Sequence, residues 1–217
     1  MKILLACEES QRVCIAFRKL GHDAFSCDIK PCSGGYPEWH IQGDVSEILK
    51  EKWDMIIGFP PCTYMCVGSA VRMYPTPGVI CPDRYAKAMQ ARDFFMSIYN
   101  ANCPRIAVEN PTPLKCVGLP SRTQTIQPYQ FGDPYSKKTC LWLKGLPPLK
   151  PTNICTDYQP YINGGGGRIH RYKNKKFANN STTRSKTFPG IAAAMADQWG
   201  RADTPLHTYP VQMRLFT

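Results

Sequence analysis

Two short stretches of this chain carry residue types suited to covalent chemistry. Cys62 follows Gly58-Phe59-Pro60-Pro61, and the two prolines make a stiff turn that would aim its thiol into a cleft. A thiol presented in this way is a nucleophile, whereas most cysteines merely fill a core. Glu109-Asn110-Pro111 is the second stretch. Glutamate is a poor core residue, so after an apolar run Glu109 reads as a site carboxyl or as a helix cap. Cys66, a few residues beyond the proline turn, is the second candidate nucleophile.

Positioning those residues takes strands that end beside one another, and the first 145 residues supply them. Lys2 to Ala6, Ala24 to Cys27, Asp54 to Gly58, Arg105 to Val108 and Thr139 to Leu143 are short apolar runs of strand length. Between them, Ser10 is placed to N-cap a helix carrying Val13, Ile15, Ala16, Phe17 and Leu20, stopped by Gly21. Tyr85 to Tyr99 has helical periodicity, and Ile191 to Trp199 makes a further short helix after Pro189-Gly190. Strands alternating with helices predict an α/β fold, a mostly parallel, doubly wound sheet. Ligands of such sheets gather at the carboxyl ends of the strands. Glu8 and Glu9, Asp28, Pro61-Cys62 and Glu109-Asn110 all fall there.

The chain has 217 residues, 43% hydrophobic and 20% charged, which suits one globular domain with a small appendage. MKILLACEES turns acidic too early for a secretory signal, and no 18-residue apolar run exists, so a cytoplasmic protein that does not span a membrane is expected. Eleven cysteines are an odd number without an export signal, and neither their spacing nor the four scattered histidines announces zinc. The net charge of +11 is localised: between Lys137 and Lys186 eleven lysines and arginines face one acid, Asp157, leaving +10 in that stretch. Such a concentration points to a polyanion, with a solvated basic loop as the alternative. Pro147, Pro148 and Pro151, then Gly164 to Gly167 and RIHRYKNKK, divide the chain into an α/β domain (1–150), a basic arm (151–186) and a C-terminal helix with tail (187–217).

In combination these residues resemble the DNA cytosine-5 methyltransferases, including small phage and prophage proteins assigned to that family. The Pro-Pro-Cys turn is similar to the family's nucleophile motif, and Glu109-Asn110-Pro111 to its Glu-Asn-Val motif. Gly43-Asp44-Val45 resembles its Gly-Asp-Ile segment, and Phe131 to Lys138 its Tyr-Gly-Val-Pro-Gln-Asn-Arg-Lys-Arg block. Thr187 to Trp199 resembles its last motif. The resemblance covers nearly the whole chain and implies a Rossmann-like methyltransferase fold, in which the last motif completes the cofactor pocket. It implies Cys62 as the nucleophile at C6 of cytosine, Glu109 as the N3 partner, Asn110 as a support of the local backbone, and S-adenosylmethionine as the methyl donor. Cofactor contacts are implied for Cys7, Glu8, Glu9, Ser10, Asp28, Ile29, Asp44, Val45 and Pro60. Substrate or phosphate contacts are expected of Lys137, Lys138, Arg168, Arg171, Lys173, Lys175 and Lys176. The host would be a bacterium or a phage-infected cell, and the substrate a flipped or single-stranded base.

Three departures stand out. Cys7-Glu8-Glu9-Ser10-Gln11-Arg12 replaces the family's glycine-rich first turn, so side chains occupy the space that glycines leave open. Thr63 replaces the glutamine after the nucleophile. A short basic, glycine-rich insertion stands where a large target-recognition domain would be. Cytosine in DNA, read with low sequence specificity, is the leading substrate. A free cytosine nucleotide modified by the same chemistry, and a non-catalytic nucleic-acid-binding protein of methyltransferase origin, are the alternatives.

Overall fold

A computed structural model of the chain describes residues 1–161 and 184–201. Its central strand is β1 (Lys2–Ala6), and Ile3, Leu4, Leu5 and Ala6 are wholly buried. Alternate residues serve opposite layers: Ile3 and Leu5 join one core cluster, Leu4 and Ala6 the other. Only a strand covered on both faces is apolar at successive positions, which is why Ile3 to Ala6 reads as a continuous run.

On one side β1 pairs in parallel with β2 (Asp23–Asp28), which pairs with β3 (His40–Gln42). On the other it pairs in parallel with β4 (Met55–Gly58), followed by parallel β5 (Ile106–Asn110). The seven-stranded sheet is completed by β6 (Gln124–Ile126) and β8 (Thr139–Lys144), in the order β3-β2-β1-β4-β5-β8-β6. β8 runs antiparallel to both β5 and β6. This is the expected α/β, mostly parallel, Rossmann-like sheet, with its topological switch point between β1 and β4. β7 (Tyr135–Ser136) and β9 (Gln159–Pro160) form a small separate parallel pair.

Helices cover both faces. α1 (Arg12–Arg18) packs against α5 (Pro189–Gly200) on one face, burying Val13, Cys14 and Phe17 with Ile191, Met195 and Trp199. α4 (Pro82–Tyr99) covers the other through Ala88, Phe95 and Ile98, and Phe95 meets Trp142 edge-on with ring centroids 5.0 Å apart. Two short helices, α2 (Val45–Ile48) and α3 (Ala70–Met73), follow β3 and the proline turn.

The expected cap of α1 needs correction. Gln11, in the left-handed conformation at φ 55°, occupies the N-cap position, and its side chain makes no capping bond. Ser10 lies one residue too early. The expected basic arm, 151–186, opens on a described stretch: the Asn153 and Cys155 amides donate to the Gln130 and Tyr129 carbonyls, and that of Tyr161 to Ser136. Residues 162–183, with Arg168, Arg171, Lys173, Lys175 and Lys176, lie outside the described residues, as does the tail after Arg201. Among the described residues no helix is long and apolar enough to cross a membrane.

Candidate active site

The proline turn is stitched to the end of β5. After β4, the Phe59 amide donates to the Ala6 carbonyl at 2.9 Å, and the chain then runs through Pro60 and Pro61 to Cys62. Wholly buried Asn110 donates from Nδ2 to the Pro60 carbonyl at 3.3 Å, which ties the proline turn to the strand that carries Glu109. Beyond Cys62 the chain folds back, with the Met65 and Cys66 amides both donating to the Cys62 carbonyl. It then pairs with the segment after β5: the Val67 amide donates to Thr112 at 2.9 Å, and that of Leu114 to Met65 at 2.7 Å.

Cys62, Glu109 and Lys137 converge at this edge. Lys137 reaches it because β8 is antiparallel: the start of that strand, not its end, lies beside Asn110, and Lys137 stands two residues before it. Lys137 donates from Nζ to the Arg184 carbonyl at 2.7 Å and stands 6.0 Å from the Phe188 ring. Burial holds the Glu109 carboxyl above the usual carboxylate range, with the Lys137 charge opposing. The Cys62 thiol is raised by its hydrogen bond to Cys66, then by burial and by the charges of Cys66 and Glu109, again opposed by Lys137. Cys66 is shifted the other way, down to about 6, by the same thiol–thiol bond together with the backbone N–H groups of Gly68 and Ser69. All eleven cysteines are free. Lys138 is exposed.

At the neighbouring end of β1, side chains take the place of glycines. Glu8 is buried, and its carboxylate accepts from the Val13 amide at 2.7 Å and from that of Cys14 at 3.1 Å. It caps α1 from within the turn. Burial nevertheless pushes its carboxyl up to about 7, against the pull of those two N–H groups. Cys7 also takes a positive φ, 62°. Gln11 exchanges two bonds with the Tyr36 backbone, Nε2 to the carbonyl at 2.7 Å and the amide to Oε1 at 3.1 Å. Close packing instead falls on Gly34, in the facing loop, where a Cβ would run into Gln11 and the Ser10 carbonyl. Ser10 is nearly buried, while Glu9 faces Lys186 at 3.9 Å.

Asp28 and Asp44 both bear on Cys7, whose thiol is raised first by burial and then by the Asp28 charge, with Cys27 and Asp44 following. Asp28 accepts from the Lys30 amide at 3.0 Å, and Asp44 caps α2 by accepting from the Ser46 amide at 2.9 Å. Ile29, beside Asp28, is 73% exposed, whereas Val45 is buried in the core. Exposed Ile29 and the carboxylates of Asp28 and Asp44, just past or at the carboxyl ends of β2 and β3, could serve a nucleoside, with a hydrophobic face for a base and acceptors for its hydroxyl and amino groups.

The candidate residues thus fall into two groups that meet at the switch point: Cys62, Glu109, Asn110 and Lys137 on one side, Cys7, Glu9, Asp28, Ile29 and Asp44 on the other. Two features escaped the sequence reading. One is the Cys62–Cys66 thiol bond. The other is Arg84, which donates to the Thr63 carbonyl at 3.4 Å and stacks 4.5 Å from the Tyr64 ring, bracing the chain just beyond Cys62.

No known family pattern and no curated protein matches the chain. Among solved structures, a match is a candidate DNA modification methyltransferase encoded within a prophage of E. coli. The two are 16% identical, the match covers 70% of this chain and 51% of the other, and the TM-score is 0.43. This chain spans about half the length of that structure. A likeness so distant says nothing about what the site does.

Proposed function

We propose that the protein methylates C5 of cytosine in DNA, using S-adenosylmethionine and a transient covalent bond between Cys62 and C6. The convergence of Cys62, Glu109 and Lys137 at one strand edge carries this reading. Carbon 5 of cytosine is a weak nucleophile until a thiolate adds at C6 and makes the ring enamine-like. Cys62 is the thiol placed to add. Burial raises the Glu109 carboxyl and so favours its protonated form; in that form Glu109 would donate to N3 and give it a proton as negative charge reaches the ring. Lys137 offers a positive charge beside both groups, suited to the phosphate or the pyrimidine carbonyl. Asn110 fixes the Pro60 carbonyl and with it the approach of Cys62.

Asp28, Ile29 and Asp44 would hold the cofactor's nucleoside, and Glu9, at the rim of the first turn, its charged amino end. When bound, S-adenosylmethionine supplies an electrophilic methyl group. Glu8 and Gln11 leave no empty glycine cradle, so the turn contributes backbone and Glu9 rather than open space. The short chain between the lysine block and α5, rich in cations, suits backbone contacts to DNA more than base reading.

DNA containing 5-fluorocytosine tests the reading, because fluorine at C5 cannot leave as a proton and the adduct persists. Wild-type protein with cofactor is expected to form a denaturation-resistant complex, and Cys62→Ala to form none. Adduct formation unchanged in Cys62→Ala overturns the assignment. Trapping by a free fluorinated cytidine nucleotide, but not by DNA, selects the nucleotide substrate. DNA binding with no adduct on either selects the non-catalytic reading.

A further inference from the structure

The helix after the first strand of a doubly wound sheet ordinarily offers its free N–H groups to an anion. Here they are taken, because the Glu8 carboxylate holds the Val13 and Cys14 amides of α1. An anionic group bound at this turn therefore needs a positive partner from elsewhere, and one arrives from far along the chain. Lys186 reaches the rim of the turn, where its Nζ donates to Ser33 Oγ at 2.9 Å and stands 3.9 Å from the Glu9 carboxylate. Both side chains are shielded, Lys186 being 25% and Glu9 17% exposed. At 3.9 Å the two charges attract without a hydrogen bond, so each keeps capacity for a further partner. Three segments build this corner. The Ser33 amide donates to the Glu9 carbonyl at 2.8 Å, which joins the facing loop to the turn. Lys186 is held on both sides, since Lys137 donates to the Arg184 carbonyl and Arg12 to that of Thr187, each at 2.7 Å. The Gly190 amide bonds to Asp133 Oδ2 at 2.9 Å and fixes the start of α5 behind it.

Building on the reading that Asp28, Ile29 and Asp44 hold the cofactor's nucleoside, we propose that Lys186 binds the carboxylate of its amino-acid end while Glu9 takes the ammonium. A zwitterion entering this corner meets a cation and a carboxylate already set side by side, so each of its charges finds an opposite one. Ser33 Oγ accepts from Lys186 and keeps its own hydrogen to give to the same carboxylate. The arrangement also selects. A nucleoside phosphate would set its negative charges beside Glu9 with no ammonium to offset them, whereas an amino-acid end satisfies both sides. Lysine thus restores, from outside the turn, the positive charge that the capped amides of α1 no longer offer.

Calorimetry on the full chain with three probes separates this role from simple support of the fold. The probes are S-adenosylmethionine, its decarboxylated form, and 5′-methylthioadenosine, which lacks the amino-acid end altogether. The wild type should bind S-adenosylmethionine at least about tenfold more tightly than the decarboxylated form. Lys186→Met should remove most of that difference, and Lys186→Arg should keep most of it. Affinity for 5′-methylthioadenosine should be the same in all three proteins. An unchanged ratio between the first two probes in Lys186→Met overturns the proposal. So does an equal loss for all three probes, which would make Lys186 a support of the corner and no more. Binding of no probe by the wild type removes the cofactor reading and this role with it. Methyl transfer fails separately: a carboxylate preference that depends on Lys186, with no adduct on 5-fluorocytosine DNA, supports the role of Lys186 and removes cytosine methylation.

Discussion

Glu8 shows how a residue picked out by position can serve the fold. Its place at the end of β1 suggests a ligand contact, yet both of its oxygens face the α1 amides. That use is illegible in the sequence, because the capping carboxylate stands three residues before the N-cap position, and Gln11 must adopt a left-handed φ to allow it. Cys62 and Glu109 were legible, since each follows an apolar run that ends at the site. The partnership with Cys66 was not, because the fold-back between them depends on pairing with residues 112–114, far along the chain. The buried carboxyl of Glu8 has a consequence for stability. Its folded pKa is about 7 against an ordinary 4.5. Between those values the folded chain keeps a proton that the unfolded chain has lost, so stability is full below pH 4.5 and falls as pH rises to 7. The fall is on the order of 3 kcal/mol. Glu8→Gln, which does not titrate, should flatten the dependence of melting temperature on pH across that window. An equally steep slope in the variant would show that another group is responsible.

Strands announced themselves by apolar runs, and Lys2–Ala6 has the expected bounds because, after exposed Lys2, every residue is buried and apolar. β3 and β6 did not, at three residues each and half-exposed, with too few positions to show a period. Nor did any local pattern fix the direction of β8, although that direction is what brings Lys137 to Cys62. Between elements, the close approach of α4 to the carboxyl end of β4 depends on Gly58, where a Cβ would stand 2.7 Å from Ile98 Cγ2. Isoleucine is stiff at that atom, so relief requires α4 or β4 to move, and with β4 the proline turn. Gly58→Ala should therefore destabilise the fold by roughly 1–3 kcal/mol and slow Cys62 adduct formation. Adding Ile98→Ala removes the clash. Chemical denaturation of the single and double variants should show coupling, the double losing less than the sum of the two. Simple additivity would mean that the contact does not set the spacing.

Across the whole molecule, charge and site share one edge. The +10 between Lys137 and Lys186 belongs to a stretch whose described ends both lie at the candidate site. On one side the Tyr161 amide is bonded to Ser136, next to Lys137. On the other, Lys137 holds the Arg184 carbonyl, and Lys186 reaches Ser33 Oγ at 2.9 Å. Residues 162–183 connect these two described ends, and in sequence they carry Arg168, Arg171, Lys173, Lys175 and Lys176 without an acid among them. Cations contacting phosphates release counterions, so affinity for DNA should fall steeply with salt, by about one log–log slope unit for each phosphate engaged. Replacing Arg171, Lys173, Lys175 and Lys176 together with glutamine should lower that slope by roughly three to four units if all four meet phosphates. It should weaken binding alike across sequences, since phosphate contacts position without reading bases. Calorimetry on the same variant should find S-adenosylmethionine binding intact, because the residues proposed to hold it, Asp28, Ile29 and Asp44, stand at the end of β2 and at the start of α2. Fluorescence anisotropy over a salt series measures the DNA slope, and an unchanged affinity and slope would make the stretch a solvated basic loop and move the free nucleotide to first place as substrate.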